Sequence, residues 1–127
     1  MIEKLSLLIG AWKGKGKSNY PTIETTEYIE ELEFRFIGDD ESILFEQKTW
    51  FNINGVKGNP LHWESGFIIA YPDDTFELFN AQNSKRVEVM KSSFIKIEET
   101  KLQLSFESKY FGNDERMVKT SRDFFVD

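Results

Sequence analysis

The sequence predicts an all-β fold, an antiparallel up-and-down β-barrel of about nine to ten strands behind a short N-terminal helix. Three observations predict it. Apolar residues recur with period two along most of the chain, compact turn signals separate the alternating runs, and no helical crossover lies between them.

Residues 2–9 are the exception to period two, since Ile2, Leu5, Leu8 and Ile9 fall on one side of a helix. Strands then follow at about 10–17, 24–37, 42–53, 60–71, 75–82, 85–91, 93–99, 101–110 and 116–126. The turns between them are Tyr20-Pro21, Gly38-Asp39-Asp40, Asn54-Gly55 with Gly58-Asn59-Pro60, Pro72-Asp73-Asp74, Asn83-Ser84, Glu98-Glu99-Thr100 and Gly112-Asn113-Asp114. Alternation locates the core: Tyr28, Leu32, Phe34 and Phe36 share one strand face, and Leu102, Leu104 and Phe106 share another. A flat meander of this length exposes two sheet edges, whereas closing it removes them.

In the first strand, Trp12, Gly14 and Gly16 point to one side and Ala11, Lys13, Lys15 and Lys17 to the other. Two glycines beside a tryptophan weaken a strand, and a wall that must leave room inside gives them a reason. The lone histidine lies in Pro60-Leu61-His62-Trp63-Glu64-Ser65-Gly66-Phe67. An extended chain sends His62, Glu64, Gly66 and Ile68 one way and Leu61, Trp63, Ser65 and Phe67 the other. Spacing is compatible with either set facing inward. An inward Glu30 needs a partner such as Arg122 or a buried hydroxyl.

Composition narrows the function classes. The 127 residues form a single domain spanning 1–127, and a net charge of −6 disfavours nucleic acid. No apolar run approaches the roughly 20 residues of a membrane helix, no secretory signal is evident, and the expected location is cytoplasmic. With zero cysteines there is no disulfide or thiolate metal site, and one histidine with scattered carboxylates makes a poor metal centre. No catalytic residue or metal ligand is assigned, and enzymatic activity is left open.

Leu7-Leu8-Ile9-Gly10-Ala11-Trp12-Lys13-Gly14-Lys15-Gly16, then Tyr20-Pro21-Thr22-Ile23, Tyr28-Ile29-Glu30-Glu31-Leu32-Glu33-Phe34, Gln47-Lys48-Thr49 and the His62 motif resemble nitrobindin and its relatives in order and spacing. The match is continuous over residues 5 to 70, with weaker echoes at Arg86-Val87-Glu88-Val89 and Arg122-Asp123-Phe124-Phe125. The resemblance implies a lipocalin-like or fatty-acid-binding-protein-like barrel of about ten strands around a cavity. It implies b-type haem as cofactor, nitric oxide binding and peroxynitrite isomerisation, and it turns His62 inward on the open side of the haem. The family's iron-ligating histidine lies near its C-terminus, and no residue up to Asp127 matches it. The expectation is a natural variant without haem or a chain lacking its closing strands, whose open seam invites a homodimer.

Three readings result. The preferred one is a barrel binding a small apolar or planar ligand without normal axial haem ligation. Its pocket residues are Trp12, Gly14, Gly16, Tyr28, Phe34, Phe45, His62, Glu64 and Gly66, with the aromatics as wall, the glycines as space, and His62 with Glu64 as orienting contacts. The alternatives are a haem-binding protein acting on nitric oxide or peroxynitrite, and a ligand-free structural or interaction barrel.

Overall fold

A computed structural model describes residues 2–20, 23–112 and 121–126, with the side chains of 14–20, 23–26, 111 and 121 outside that description. A 3₁₀ helix (Ile2–Leu8) leads into eight strands: β1 (Gly10–Tyr20), β2 (Ile23–Phe36), β3 (Ser42–Ile53), β4 (Val56–Ala70), β5 (Phe76–Gln82), β6 (Val87–Ile97), β7 (Leu102–Gly112) and β8 (Ser121–Val126). They form one antiparallel sheet in sequence order, β1 to β8. The sheet curls into a half-barrel, and among the described residues β1 pairs only with β2 and β8 only with β7.

The strand count differs from the expected nine to ten because the runs at 85–91 and 93–99 are one strand. Register shifts between Val89 and Met90 and between Ser92 and Phe94 change which face the side chains take, so one bulged strand imitates two. Asn54 and Gly55 both have positive φ and close the two-residue hairpin from β3 to β4, as that dipeptide predicts. Asp39 tightens the β2–β3 loop by accepting from the Glu41 and Ser42 backbone N–H groups and the Ser42 hydroxyl. The turns expected at Tyr20-Pro21 and Gly112-Asn113-Asp114 extend into 21–22 and 113–120, outside the described residues.

Cross-strand register runs the concave side chains into rungs. One reads Phe36, Ile43, Ile68, Leu78 and Met90, and the next reads Gly10, Phe34, Phe45, Gly66, Asn80 and Glu88. The first is almost wholly apolar, and it is sealed by the helix, whose Ile2, Leu5 and Leu8 are buried in the same cluster. Burying such side chains stabilises the fold by about 1.5–3 kcal/mol each. Trp12 fixes the helix to β1 by donating its indole N–H to the Leu8 carbonyl oxygen at 2.9 Å.

The curl brings β8 across the hollow. Phe124 meets Phe34 edge-on with ring centres 5.6 Å apart and Phe106 at 6.1 Å, while Phe34 stacks on Phe45. One end of the concave side is thus a packed aromatic core.

Candidate functional site

The remaining rungs of the concave face are polar. Gly14, Glu30, Thr49 and His62 form one, and Trp12, Leu32, Gln47, Glu64 and Gln82 the next. Their position is set by β4. Pro60 has no N–H to give to the ladder, and the register with β3 slips between Thr49 and Trp50, leaving Leu61 as the extra residue of a bulge. Thr49 repairs the break: its hydroxyl donates to the His62 carbonyl oxygen (2.8 Å) and accepts from the His62 N–H (2.9 Å). His62 is thereby held facing the concave side.

Glu64 is two residues on, with its side chain wholly buried. Its Oε1 lies 2.8 Å from Arg122 Nη1, reaching across from β8, and 3.6 Å from His62 Nε2. Burial pushes this carboxyl up, but His62 and Arg122 outweigh it and hold the group below the ordinary carboxylate value. Arg122 and His62 are thus the groups that face this buried carboxylate from the concave side. Glu30 is served by Gln47 Nε2, which donates to its Oε2 at 3.0 Å. The partner expected for Glu30, Arg122, instead belongs to Glu64.

The predicted residues fall into two groups. Trp12, Tyr28, His62 and Glu64 share the polar half of the concave face, with Trp12 40% exposed and the His62 side chain 34% exposed. Phe34 and Phe45 are buried in the aromatic core. Gly66 opposes Phe45 and Asn80, and the place of its missing side chain is taken by the β5 backbone, since a Cβ there would stand 1.7 Å from the Phe79 carbonyl oxygen. Register puts Gly14 opposite Glu30 and Gly16 opposite Tyr28, and their surroundings lie outside the described residues.

Sequence reasoning missed Arg122 as the partner of Glu64, together with three buried polar residues: Asn80, Gln82 and Glu88. Gln82 Nε2 donates to Asn80 Oδ1 at 3.0 Å and to Glu88 Oε1 at 2.5 Å, and Arg86 Nη2 donates to the same Glu88 oxygen at 3.2 Å. The signal was available: Phe76, Leu78, Asn80 and Gln82 alternate, so a core-facing phenylalanine forces both amides onto the core side.

An open groove of about 840 Å³ lies elsewhere, lined by Tyr71, Glu77, Lys91 and Lys109 among others, and includes none of the predicted residues. Among the described residues no three His, Asp or Glu side chains gather to hold a metal ion, and no helix is long and apolar enough to cross a membrane.

A family model described as THAP4-like, heme-binding beta-barrel domain matches residues 1–124. A relative from Arabidopsis thaliana named peroxynitrite isomerase Rv2717c is 36% identical over 123 residues, 97% of this chain and 70% of its own length. A peroxynitrite isomerase of Nocardia farcinica is 31% identical over 112 residues, covering 87% of this chain and 63% of its own. Peroxynitrite isomerase 2 of Mycobacterium marinum is 35% identical over 88 residues, 69% of this chain and 52% of the relative. The present chain therefore spans between half and two thirds of the length of these bacterial relatives. The crystal structure of Rv2717c from M. tuberculosis superposes with a TM-score of 0.86 at 26% identity, over 99% of this chain and 79% of that one. With the family model matched from the first residue through most of β8, the chain belongs to the THAP4-like, heme-binding β-barrel domain family.

Proposed function

We propose that the polar half of the concave face, on β1 to β4, binds a small planar ligand of largely apolar character, held against Trp12, Tyr28 and Leu32 and oriented by His62 and Glu64. The observation that carries this reading is the concave surface itself. A partly exposed tryptophan and a partly exposed imidazole share this face with a buried carboxylate that is ion-paired to Arg122. An apolar wall with a few convergent polar groups is the usual composition of a small-molecule site. Membership of a heme-binding family supports a flat guest.

The donor set does not fit iron held in the way the resemblance implies. The chain has one imidazole, its Nε2 is directed at Glu64, and β8 presents Arg122 and Phe124 to the polar and aromatic parts of the interior. Haem iron needs an axial donor such as histidine, cysteine, methionine or tyrosine.

The names of the relatives favour a second reading, a haem protein acting on peroxynitrite, with the axial donor supplied by His62, by a tyrosine such as Tyr28, or by a histidine outside residues 1–127. One titration separates the two. Calorimetry with 2-methylnaphthalene should saturate at one ligand per chain, and haem added to residues 1–127 should give a broad Soret band without saturation. A sharp band saturating at one haem per chain establishes the second reading in place of the first. Gly14→Leu and Gly16→Leu should obstruct 2-methylnaphthalene while leaving the far-ultraviolet circular dichroism unchanged. Unchanged binding in both variants moves the site off β1.

A further inference from the structure

Beyond its polar rungs the concave face turns apolar again. The register of β2 with β3 is unbroken from Phe36 opposite Ile43 to Tyr28 opposite Phe51, so Phe51 projects on the same side as Phe45 and Thr49. Ile53 follows two residues on and stands opposite Val56 across the Asn54-Gly55 turn. Residues directly opposite in an antiparallel pair share a face, which sets Phe51, Ile53 and Val56 in one line from the polar rungs to the hairpin tip. Gly58 is an independent sign of this facing. A Cβ there would stand 2.9 Å from Ile53 Cγ1 and 3.5 Å from Phe51 Cβ, so both side chains lie over the bare α-carbon of that glycine.

The line is open to solvent. Phe51 is 37% exposed, Ile53 58% and Val56 66%, whereas Ile43 and Phe45 at the other end of the same strand face are buried. Apolar side chains exposed together mark a surface that meets another apolar group. Size argues against a protein partner, because three partly exposed side chains fall far short of the roughly 800 Å² a side that a stable interface takes. Shape favours a chain: the strip is two strands wide and continuous with the rungs of Tyr28 and Thr49. Along β3 the advance from Thr49 to Ile53 covers about 13 Å.

We propose that the guest of the concave face is an amphiphile, whose planar part lies at the polar rungs and whose aliphatic tail runs out along Phe51, Ile53 and Val56. The inference rests on the ligand-binding reading above and specifies the chemical class of its guest. Ile53 and Val56, which take no part in the buried core, become specificity residues for the tail.

Calorimetry on residues 1–127 with 2-methylnaphthalene and 2-butylnaphthalene tests it. The butyl compound should bind about tenfold tighter, from three added methylenes each partly removed from water. Ile53→Thr combined with Val56→Thr keeps β-branched side chains at exposed strand positions, so the sheet is retained. In that double variant the butyl preference should fall about threefold, with 2-methylnaphthalene bound as in the parent chain. Equal affinity of the two compounds for the parent overturns the inference and leaves the binding site standing, and a preference that survives the double variant overturns it as well. If neither compound saturates, both the inference and the binding reading fall. Two other outcomes give the strip a different occupant and also overturn the inference: co-sedimentation of the parent with phosphatidylcholine vesicles, or a dimer in sedimentation velocity, either one lost in the double variant. Val56→Thr alone repeats the comparison if the double variant does not fold.

Discussion

A methyl group on Gly66 would stand 1.7 Å from the Phe79 carbonyl oxygen and 2.7 Å from the carbonyl carbon, both backbone atoms of the paired strand. Neither can retreat without breaking the β4–β5 ladder. Gly66→Ala should therefore cost about 3 kcal/mol in denaturant unfolding, at the upper end of overpacking effects. Glu64 predicts a dependence on pH. Its folded pKa lies below the ordinary 4.5, despite burial, because His62 and Arg122 favour the charged form. The carboxylate therefore adds stability above that ordinary value, and the contribution is lost as pH falls through the lower folded pKa. Glu64→Gln should destabilise by about 2–3 kcal/mol at neutral pH by stripping Arg122 of its partner. The gap between variant and parent should close on acidification, as measured by urea midpoints from pH 7 down to pH 3. At this scale the sequence was informative about facing, since the alternation from His62 to Ile68 leaves two choices and the buried Glu64 and Ile68 identify the inner one. It assigned Gly66 to pocket space, whereas the close approach that requires a glycine there is made by a strand more than ten residues away in the chain.

The elements were legible where local chemistry is strong. Asn54-Gly55 predicted its hairpin, the Asp39 turn arises from its own side chain, and the spacing of Ile2, Leu5 and Leu8 predicted a helical turn. The helix acts as a plug on the apolar end of the half-barrel, and Leu5 is fully buried in it. Leu5→Ala should cost about 3 kcal/mol by chemical denaturation, since no neighbouring strand is free to move into the gap. Elements shaped by pairing were harder to read. The bulges of β6 made one strand look like two, and the slip at Pro60 is invisible until Thr49 is seen bonding to His62 in place of the missing ladder. A bulge depends on what the neighbouring strand offers, so a single strand's pattern does not reveal it.

On the scale of the whole molecule, the curl of the sheet joins residues that alternation treats as independent. It carries Arg122 to Glu64 from β8 to β4 and Phe124 to Phe34 from β8 to β2. It also leaves an edge. Among the described residues β8 bonds only to β7, and Phe125 on its outer side is 70% exposed. Unpaired strand edges with apolar neighbours template association. Residues 1–127 should accordingly self-associate with rising concentration in sedimentation velocity, and Phe125→Lys should shift the population towards monomer. A single concentration-independent species for the parent chain would count against an active edge. The sequence by itself determined the strand class, the order of the meander, which residues share a face and most of the turns, because each arises from interactions within a few residues. Only the tertiary structure decided that the aromatic residues pack into one end of the concave side. The same is true of Arg122 completing the charge of Glu64. Those outcomes depend on how far an eight-stranded sheet curls and twists. Curl is the sum of small rotations at every strand pair, a quantity no local stretch of the chain encodes.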